Sequence, residues 1–406
     1  MKLKIYKPVI FLILLFHVIF INFPYIDGYG VIQYLLLLVV GVFLLTRFKV
    51  FKRNPFKKIN SCMFLYLALV LLSGYMNRGL NIERQVLMTA ILFSVKVVEV
   101  FFMFELFAIN GKQKQLISTL FILTAFYCVI SDIVLLVKPT LHIQEGMYYL
   151  IGNKFELSYL HLQMIVLYLQ MKKNMRIGII SRKISENIAF ISLSILSLFI
   201  CLQIDCSTGV MGIVLLIIFY YLNIDKKKIF GKPIIFLVVL LISCGVLLLF
   251  SNIITFEPVR YLVEDVLHKD ITLTGRMQIY SSLDTIFNGH LLFGYGLGSS
   301  FEVVMHIIGA PNTQNGLLEI ILEQGIFSLA LLMILIYKVF KYESKSIESN
   351  YLVLMIYLYA VFASIEITLS LSFITWLALF LVSKYQKGEY VRISTKKEGL
   401  DGEFYS

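Results

Sequence analysis

Long and nearly unbroken apolar runs follow one another along the chain, and they limit its fold more than any other feature. Each run covers roughly 16–24 residues, which is the length of a helix that crosses a hydrocarbon core about 30 Å thick. Hydrophobic residues make up 59% of the 406 residues and charged residues 15%, whereas a soluble domain is about 45–50% apolar and about 25% charged. The pattern excludes an ordinary soluble enzyme and predicts an all-α, polytopic helical membrane protein.

The runs predict about 12 transmembrane helices. Their approximate ranges are 8–25, 28–46, 61–76, 86–109, 116–137, 156–171, 187–205, 208–223, 233–254, 316–338, 351–367 and 368–383. Lysine and arginine resist translocation and therefore collect in cytoplasmic loops. With the N-terminus inside, 28 of the 36 basic residues fall in inside segments and seven in outside segments. This bias predicts a multi-pass protein with both termini cytoplasmic, and it explains the net charge of +11 without nucleic acid.

The connection at 255–311 is much longer than the others and is predicted to lie outside. Loops longer than about 12–15 residues usually have a function or structure of their own. We therefore divide the chain into helices 1–9 (1–254), an extracytoplasmic loop that forms part of the active site (255–311), helices 10–12 (312–383) and a cytoplasmic tail (384–406). Within the loop, short helices are predicted at 258–267 and at 274–288, where Gly289 would end the second.

Three motifs follow in order through this part of the chain. They are TGR at 274–276, FNGHLLFGYGLGSS at 287–300 and NTQNGLLEIILEQG at 312–325. Together with the many spans, they resemble the Wzy-type polysaccharide (O-antigen or capsule repeat-unit) polymerases and the related O-antigen ligases. Many of those relatives, especially the ligases, have histidine where this chain has Gln314, and glutamine cannot act as a general base.

The resemblance implies a GT-C-like glycosyltransferase of the bacterial cytoplasmic membrane. Such enzymes join oligosaccharide repeat units that are carried on undecaprenyl diphosphate, at the outer face of the membrane, and they need no metal and no other cofactor. The implied partners are the lipid-linked oligosaccharide, the lipid bilayer, a flippase and a chain-length regulator, with no nucleic acid.

The catalytic candidates are Arg276, Glu319 and Asn315. Charge builds on the departing diphosphate, and the planar fork of arginine donates two parallel hydrogen bonds to phosphate. Asn315, Glu319 and Glu323 are four residues apart, so a helix places them on one stripe. Each has a simpler alternative: Arg276 as an interfacial residue that reaches lipid headgroups, Glu319 as its ion-pair partner, and Asn315 as a helix N-cap.

Further residues are candidates for substrate binding. They are Arg260, Gln314, Glu323, Gly294 and Gly296. A flexible glycine stretch lets backbone approach a ligand or turn tightly. Arg78 and Arg84 are weaker candidates, because basic residues at outer span ends often only anchor helices.

Two other classes of function stay open from the sequence. One is a transporter, such as a flippase for lipid-linked oligosaccharides, since twelve spans with both termini inside suit a carrier equally well. The other is an O-antigen-type ligase, which would move finished glycan to a different acceptor. The long outer loop and the set of Arg276, Asn315 and Glu319 favour an enzyme over a transporter, and Gln314 counts against the ligase.

Overall fold

The computed structural model describes residues 6–80, 83–137, 149–174, 179–253, 257, 276–342 and 350–385, and within these ranges it contains helices and no strand. We number the helices in chain order. They are α1 (Pro8–Phe20), α2 (Tyr29–Thr46), α3 (Lys57–Met76), α4 (Val86–Ile109), α5 (Gln113–Val137), α6 (Lys154–Asn174), α7 (Ile179–Gln203), α8 (Ser207–Tyr221), α9 (Pro233–Ile253), α10 (Arg276–Ser281), α11 (Leu283–Ile286), α12 (Ser300–Ile308), α13 (Gly316–Lys341), α14 (Leu352–Phe362) and α15 (Leu371–Ser383).

Each of the twelve predicted spans coincides with one of these helices, so the prediction of a polytopic helical membrane protein is confirmed. In the described ranges, five helices are long and apolar enough by themselves to cross a membrane: α2, α3, α4, α5 and α13. Six more described segments are apolar but shorter, and they belong to α1, α7, α8, α9, α14 and α15. The remaining long helix, α6, is more polar than the others.

Helix α6 tolerates polar residues because protein surrounds most of it. The side chains at 157–158 and at 160–170 are all buried. His161 lies between the carboxylate of Asp132, with Nε2 to Oδ1 at 3.1 Å, and the hydroxyl of Ser197, with Nδ1 to Oγ at 3.1 Å. Gln163 donates to the Tyr359 hydroxyl at 3.3 Å. A polar side chain away from water is retained where such partners satisfy it.

Helix ends that are rich in lysine and arginine meet at one end of the bundle, which we call the basic end. The side chain of Gln113 donates to the Tyr385 carbonyl at 2.9 Å. The Lys384 ammonium donates to the Phe340 carbonyl at 2.9 Å. These contacts join segments that the charge bias predicts to be inside. That this end faces the cytoplasm stays a prediction.

The opposite end of the bundle, which we call the loop end, joins the segments that are predicted to be outside. The Gly152 amide donates to the Asn22 carbonyl at 2.9 Å, and the Gly316 amide to the Ala363 carbonyl at 2.7 Å. The second contact fixes the start of α13 against the connection between α14 and α15. Residues 276–311 therefore fold at the end of the molecule where α3 ends and α4 begins.

The described part of the long connection has a small core of its own. Ile279, Ile286 and Val304 pack together with Leu322 of α13. The helix predicted at 274–288 forms as two short pieces, α10 and α11, and Gly289 follows them with φ +75°. The helix predicted at 258–267 lies outside the described residues. Helix α12 was not predicted, although Glu302 in its first turn and Gly309 just after it are ordinary start and stop signals.

Candidate functional site

The glycine segment 294–298 is bound to a break in helix α13. Gly325 has φ +81° and ψ +167°, which interrupts the helix. The Leu322 carbonyl would otherwise accept from the amide of Ile326, four residues later. Instead, the Leu322 carbonyl accepts from the Tyr295 amide at 2.7 Å, and the Ile326 amide donates to the Leu291 carbonyl at 3.0 Å. The loop thus satisfies the backbone groups that the break exposes.

Close backbone packing explains why glycines occupy this junction. A Cβ on Gly325 would lie 2.1 Å from the Leu292 carbonyl oxygen, and one on Gly294 would lie 2.6 Å from the Gln324 amide nitrogen. A Cβ on Gly296 would lie 2.7 Å from Cβ of Val86 on α4. Gly294 and Gly296 therefore contact the protein's own helices, and their predicted role in substrate binding stays a prediction.

Two carboxylates on α13 hold the loop by hydrogen bonds. Oε1 of Glu323 accepts from the Gly298 amide at 2.8 Å. Oε2 of Glu319 accepts from both the amide and the hydroxyl of Thr313, at 3.2 Å and 2.7 Å. Glu319 is buried, and the two carboxylates are close enough to interact electrostatically. They lie one helical turn apart, as the sequence predicts for one stripe.

Asn315 is the N-cap of α13, which is the alternative that the sequence left open. Its Oδ1 accepts from the amides of Leu317 and Leu318 at 3.1 Å and 3.3 Å, and its Nδ2 donates to the Cys244 carbonyl at 3.1 Å. The side chain is fully buried. Because both ends of the amide are occupied, Asn315 has a structural role, and a catalytic role stays a prediction.

Gln314 lies in the turn ahead of α13 with φ +48°, a left-handed conformation that is uncommon for a residue with a side chain. Its amide donates to Oδ1 of Asn312 at 2.8 Å. The side chain is half-buried. Gln314 thus directly follows Thr313, the residue that donates to Glu319.

The predicted arginines are only partly described. Arg276 is the first residue of α10, but the structure does not describe its side chain. Arg260 lies outside the described residues. Their predicted contact with phosphate stays a prediction.

Arg84, a weaker candidate from the sequence, lies against the glycine segment. A Cβ on Gly298 would be 3.0 Å from Cδ of Arg84. The guanidinium also acts electrostatically on Glu323. The backbone around Arg84 is fixed by Glu302 of α12, which accepts from the amides of Glu83 and Arg84 at 2.8 Å and 3.2 Å.

A cavity of about 330 Å³ lies beside this contact, between the end of α3 and the start of α4. We call it the arginine cavity. Its polar lining consists of Asn77, Arg78, Arg84 and Gln85. The guanidinium of Arg78 stacks on the Tyr75 ring, 4.2 Å from its centroid. Two arginines, both with exposed side chains, line this one cavity, and guanidinium groups are suited to an anion such as diphosphate.

The side chain of Tyr295 strengthens the loop by two contacts. Its hydroxyl donates to the Ile286 carbonyl at 2.8 Å, and its ring stacks on His290 with centroids 3.7 Å apart. Burial raises the pKa of Tyr295, so the phenol keeps its proton and can donate. Among the described residues, no three His, Cys, Asp or Glu side chains group closely enough to hold a metal ion.

The fold and the site define a multi-pass helical membrane protein in which a long connection packs onto a broken membrane helix. Two carboxylates, Glu319 and Glu323, lie at this junction, and Arg84 lies beside Glu323. Residues 192–333 match the Wzy_C family model, described as O-antigen ligase. The match is consistent with a Wzy and O-antigen ligase-like family and confirms the resemblance seen in the motifs. It includes all the candidate residues on the loop and on the first turns of α13. No curated protein and no solved structure matches the chain.

The family match indicates a function of the O-antigen ligase or polymerase kind in the assembly of cell-envelope glycans. Members of this family are enzymes that act on lipid-linked glycans. The arginine cavity is formed by residues 77–91, which precede the matched range. Sequence reasoning ranked its arginines low because basic residues at outer span ends often only anchor helices. It did not indicate that Gly298 and Glu302, more than 200 positions along the chain, contact Arg84.

Proposed function

We propose that the protein is a polymerase that joins polyprenyl-diphosphate-linked oligosaccharide repeat units into a capsular or O-antigen polysaccharide, at the outer face of a bacterial cytoplasmic membrane. One observation carries the proposal: the glycine segment binds the break in α13 and holds Glu323 beside Arg84, at the edge of the arginine cavity. The match over 192–333 supports the same class of reaction.

In the proposed reaction, the acceptor hydroxyl attacks the anomeric carbon of the donor glycan. A new carbon–oxygen bond forms, the bond from that carbon to the diphosphate breaks, and the lipid diphosphate leaves with the electron pair. Arg84 and Arg78 bind this diphosphate, and Arg276 is the further candidate from the loop. A guanidinium group beside the departing diphosphate stabilises the charge that grows on it.

The proton of the acceptor hydroxyl is transferred to a carboxylate of α13. Glu319 is the sequence-derived candidate for this base, and Thr313 orients it through two hydrogen bonds. Glu323 lies nearer the arginine cavity, and its interaction with Arg84 suits it to position the guanidinium against the diphosphate. The two acids thus take different roles, which separate variants can test.

A ligase is the second candidate function, because the matched family model is described as O-antigen ligase. A ligase would use the same donor and the same leaving group, and only the acceptor would differ. The two functions are therefore distinguished by the product and not by the donor site.

The test uses the full chain purified into lipid nanodiscs, supplied with lipid-linked repeat units and no nucleotide sugar. A ladder of longer glycans is expected, and it should be lost in Arg84→Gln and in Arg276→Ala. Arg47→Gln is the matched control, because Arg47 is exposed and lies at the basic end of the bundle.

The products separate the candidate functions. Transfer of whole glycan to a different added acceptor, with no ladder, would identify a ligase. Vesicles in which single repeat units only change leaflet would identify a carrier. A ladder of normal length and rate from Arg84→Gln would remove the arginine cavity from the mechanism.

A further inference from the structure

A second cavity at the loop end, of about 290 Å³, lies between α1, α6 and the connection from α14 to α15. We call it the tyrosine cavity. Its size is close to the lower end of the range for small-molecule sites, about 300 Å³. It does not include any of the residues to which the proposed mechanism gives a role.

The tyrosine cavity has a polar and aromatic lining. Tyr159 and Tyr359 stack with centroids 5.6 Å apart and nearly parallel planes. Glu156 and Glu366 bring two carboxylates, and Gln163 brings an amide. Aromatic rings next to carboxylate and amide groups can pack against the carbon-bound hydrogens of a sugar while accepting hydrogen bonds from its hydroxyls.

The charge of the lining excludes the leaving group from this cavity. No lysine or arginine lines it in the part of the chain that the structure describes. Glu156 and Glu366 put acidic groups into the lining, and like charge repels a diphosphate. Sugar hydroxyls, in contrast, donate short and strong hydrogen bonds to carboxylates.

The tyrosine cavity lies next to the turn that begins α13. The Gly316 amide donates to the Ala363 carbonyl at 2.7 Å, and the connection that follows, 363–370, lines the cavity through Glu366, Thr368 and Ser370. A sugar in the cavity would therefore lie close to the candidate centre, on a different side from the arginines.

We infer that the tyrosine cavity binds the glycan of the acceptor, as an uncharged, hydroxyl-rich oligosaccharide, while the arginine cavity takes the diphosphate of the donor. That the bound glycan is the acceptor rests on the proposed function. That the cavity binds free sugar does not depend on the proposed function.

Two variants test the cavity without the catalytic residues. Glu366→Gln removes a charge and keeps the shape, and Ser370→Tyr fills space from an N-cap position whose side chain makes no capping hydrogen bond. Asp205→Asn is the matched control, since Asp205 is an exposed carboxylate at the same end with φ +49°, a conformation that asparagine tolerates.

The probe is the oligosaccharide repeat of the source cell's own glycan, released from its lipid by mild acid, and binding to the nanodisc protein is measured by saturation-transfer NMR. We expect Glu366→Gln to weaken binding about tenfold, the loss of one charge-assisted hydrogen bond. Ser370→Tyr should abolish binding, and Asp205→Asn should leave it unchanged. Thermal unfolding of each variant reports whether it is folded.

The outcomes separate this inference from the proposed function. Binding that both cavity variants leave intact overturns the inference, even where the wild type makes a glycan ladder. Binding that is lost in both variants supports the cavity, even where the wild type makes no ladder. In a protein that does polymerise, Glu366→Gln should raise the KM for the acceptor and leave the KM for the donor near that of the wild type.

Discussion

The backbone amide of Gly298 donates to Oε1 of Glu323 across 2.8 Å, and this bond joins the long connection to the interior of a membrane helix. An acid at that depth is retained only where it has partners in protein or water. The loop amide is such a partner, and Arg84 packs against the same glycine. The site is therefore assembled by the folding of the loop.

Glu319→Gln should impair turnover far more than folding. The amide keeps an oxygen that can accept from Thr313, so the turn ahead of α13 is maintained, but it cannot take a proton. Loss of a general base reduces turnover by about 10²–10⁴-fold. Initial rates of glycan extension, taken beside the melting temperature in the same nanodiscs, provide the measurement.

Thr313→Val is the control for Glu319→Gln, because it removes the hydroxyl donor at 2.7 Å and leaves the carboxylate. It should lower turnover less than Glu319→Gln does. Comparable activity of Glu319→Gln and the wild type at equal expression would remove Glu319 from the mechanism.

Gly325→Ala should destabilise the protein strongly. The added methyl would lie 2.1 Å from a backbone carbonyl oxygen that no side-chain rotation can move, and φ +81° with ψ +167° is a conformation almost restricted to glycine. Strain and overpacking each cost about 1–3 kcal/mol. Thermal unfolding in nanodiscs is the measurement.

The control for Gly325→Ala is Gly245→Ala. A Cβ at Gly245, in helix α9, would meet nothing within 4 Å. Alanine should there be neutral or stabilise the helix by up to about 1 kcal/mol. Equal melting temperatures for the two variants would contradict the tight junction between the loop and α13.

The spans could be predicted from sequence because a membrane imposes one simple requirement, a long apolar helix. The same requirement shows which two helices are too short to meet it. Helix α14 has only 11 residues and α15 has 13, so neither covers about 30 Å at 1.5 Å per residue. Buried all round, α14 relies on its protein neighbours instead of its own length.

The candidate site was harder to predict than the spans. The stripe of Asn315, Glu319 and Glu323 follows from helical spacing, which is a local property. The partners of that stripe, Gly298 and Arg84, are fixed by contacts between distant segments, and no local pattern indicates them. Asn315 is the N-cap that the sequence offered as an alternative, because its Oδ1 accepts from the amides two and three residues further on.

The buried pair of Asp132 and His161 should respond unequally to single and double substitution. Asp132→Leu leaves the buried His161 imidazole with one hydrogen-bond partner fewer, and a buried polar group that loses its partner costs about 1–3 kcal/mol. Replacing both residues by leucine removes both polar groups together, so the double variant should be markedly more stable than Asp132→Leu. Melting temperatures of the wild type, the two single variants and the double variant complete the cycle. Additive losses would mean that the 3.1 Å contact carries no coupling.

Lys384→Met should loosen the basic end of the bundle. The Lys384 ammonium donates to the carbonyls of Val339, Phe340 and Tyr342 at the C-terminal end of α13, and it lies 4.4 Å from the centroid of the Phe380 ring. Burial lowers the pKa of Lys384 to about 8, so the charged form still predominates at pH 7. Removing a cation that caps helix carbonyls lowers the free energy of unfolding by about 1–3 kcal/mol.

The measurement is the melting temperature of Lys384→Met at pH 7. The control is Lys341→Met, which removes an exposed lysine from the same helix end. It should change the free energy of unfolding by less than about 0.5 kcal/mol. Equal melting temperatures for the two variants would show that Lys384 does not cap the helix.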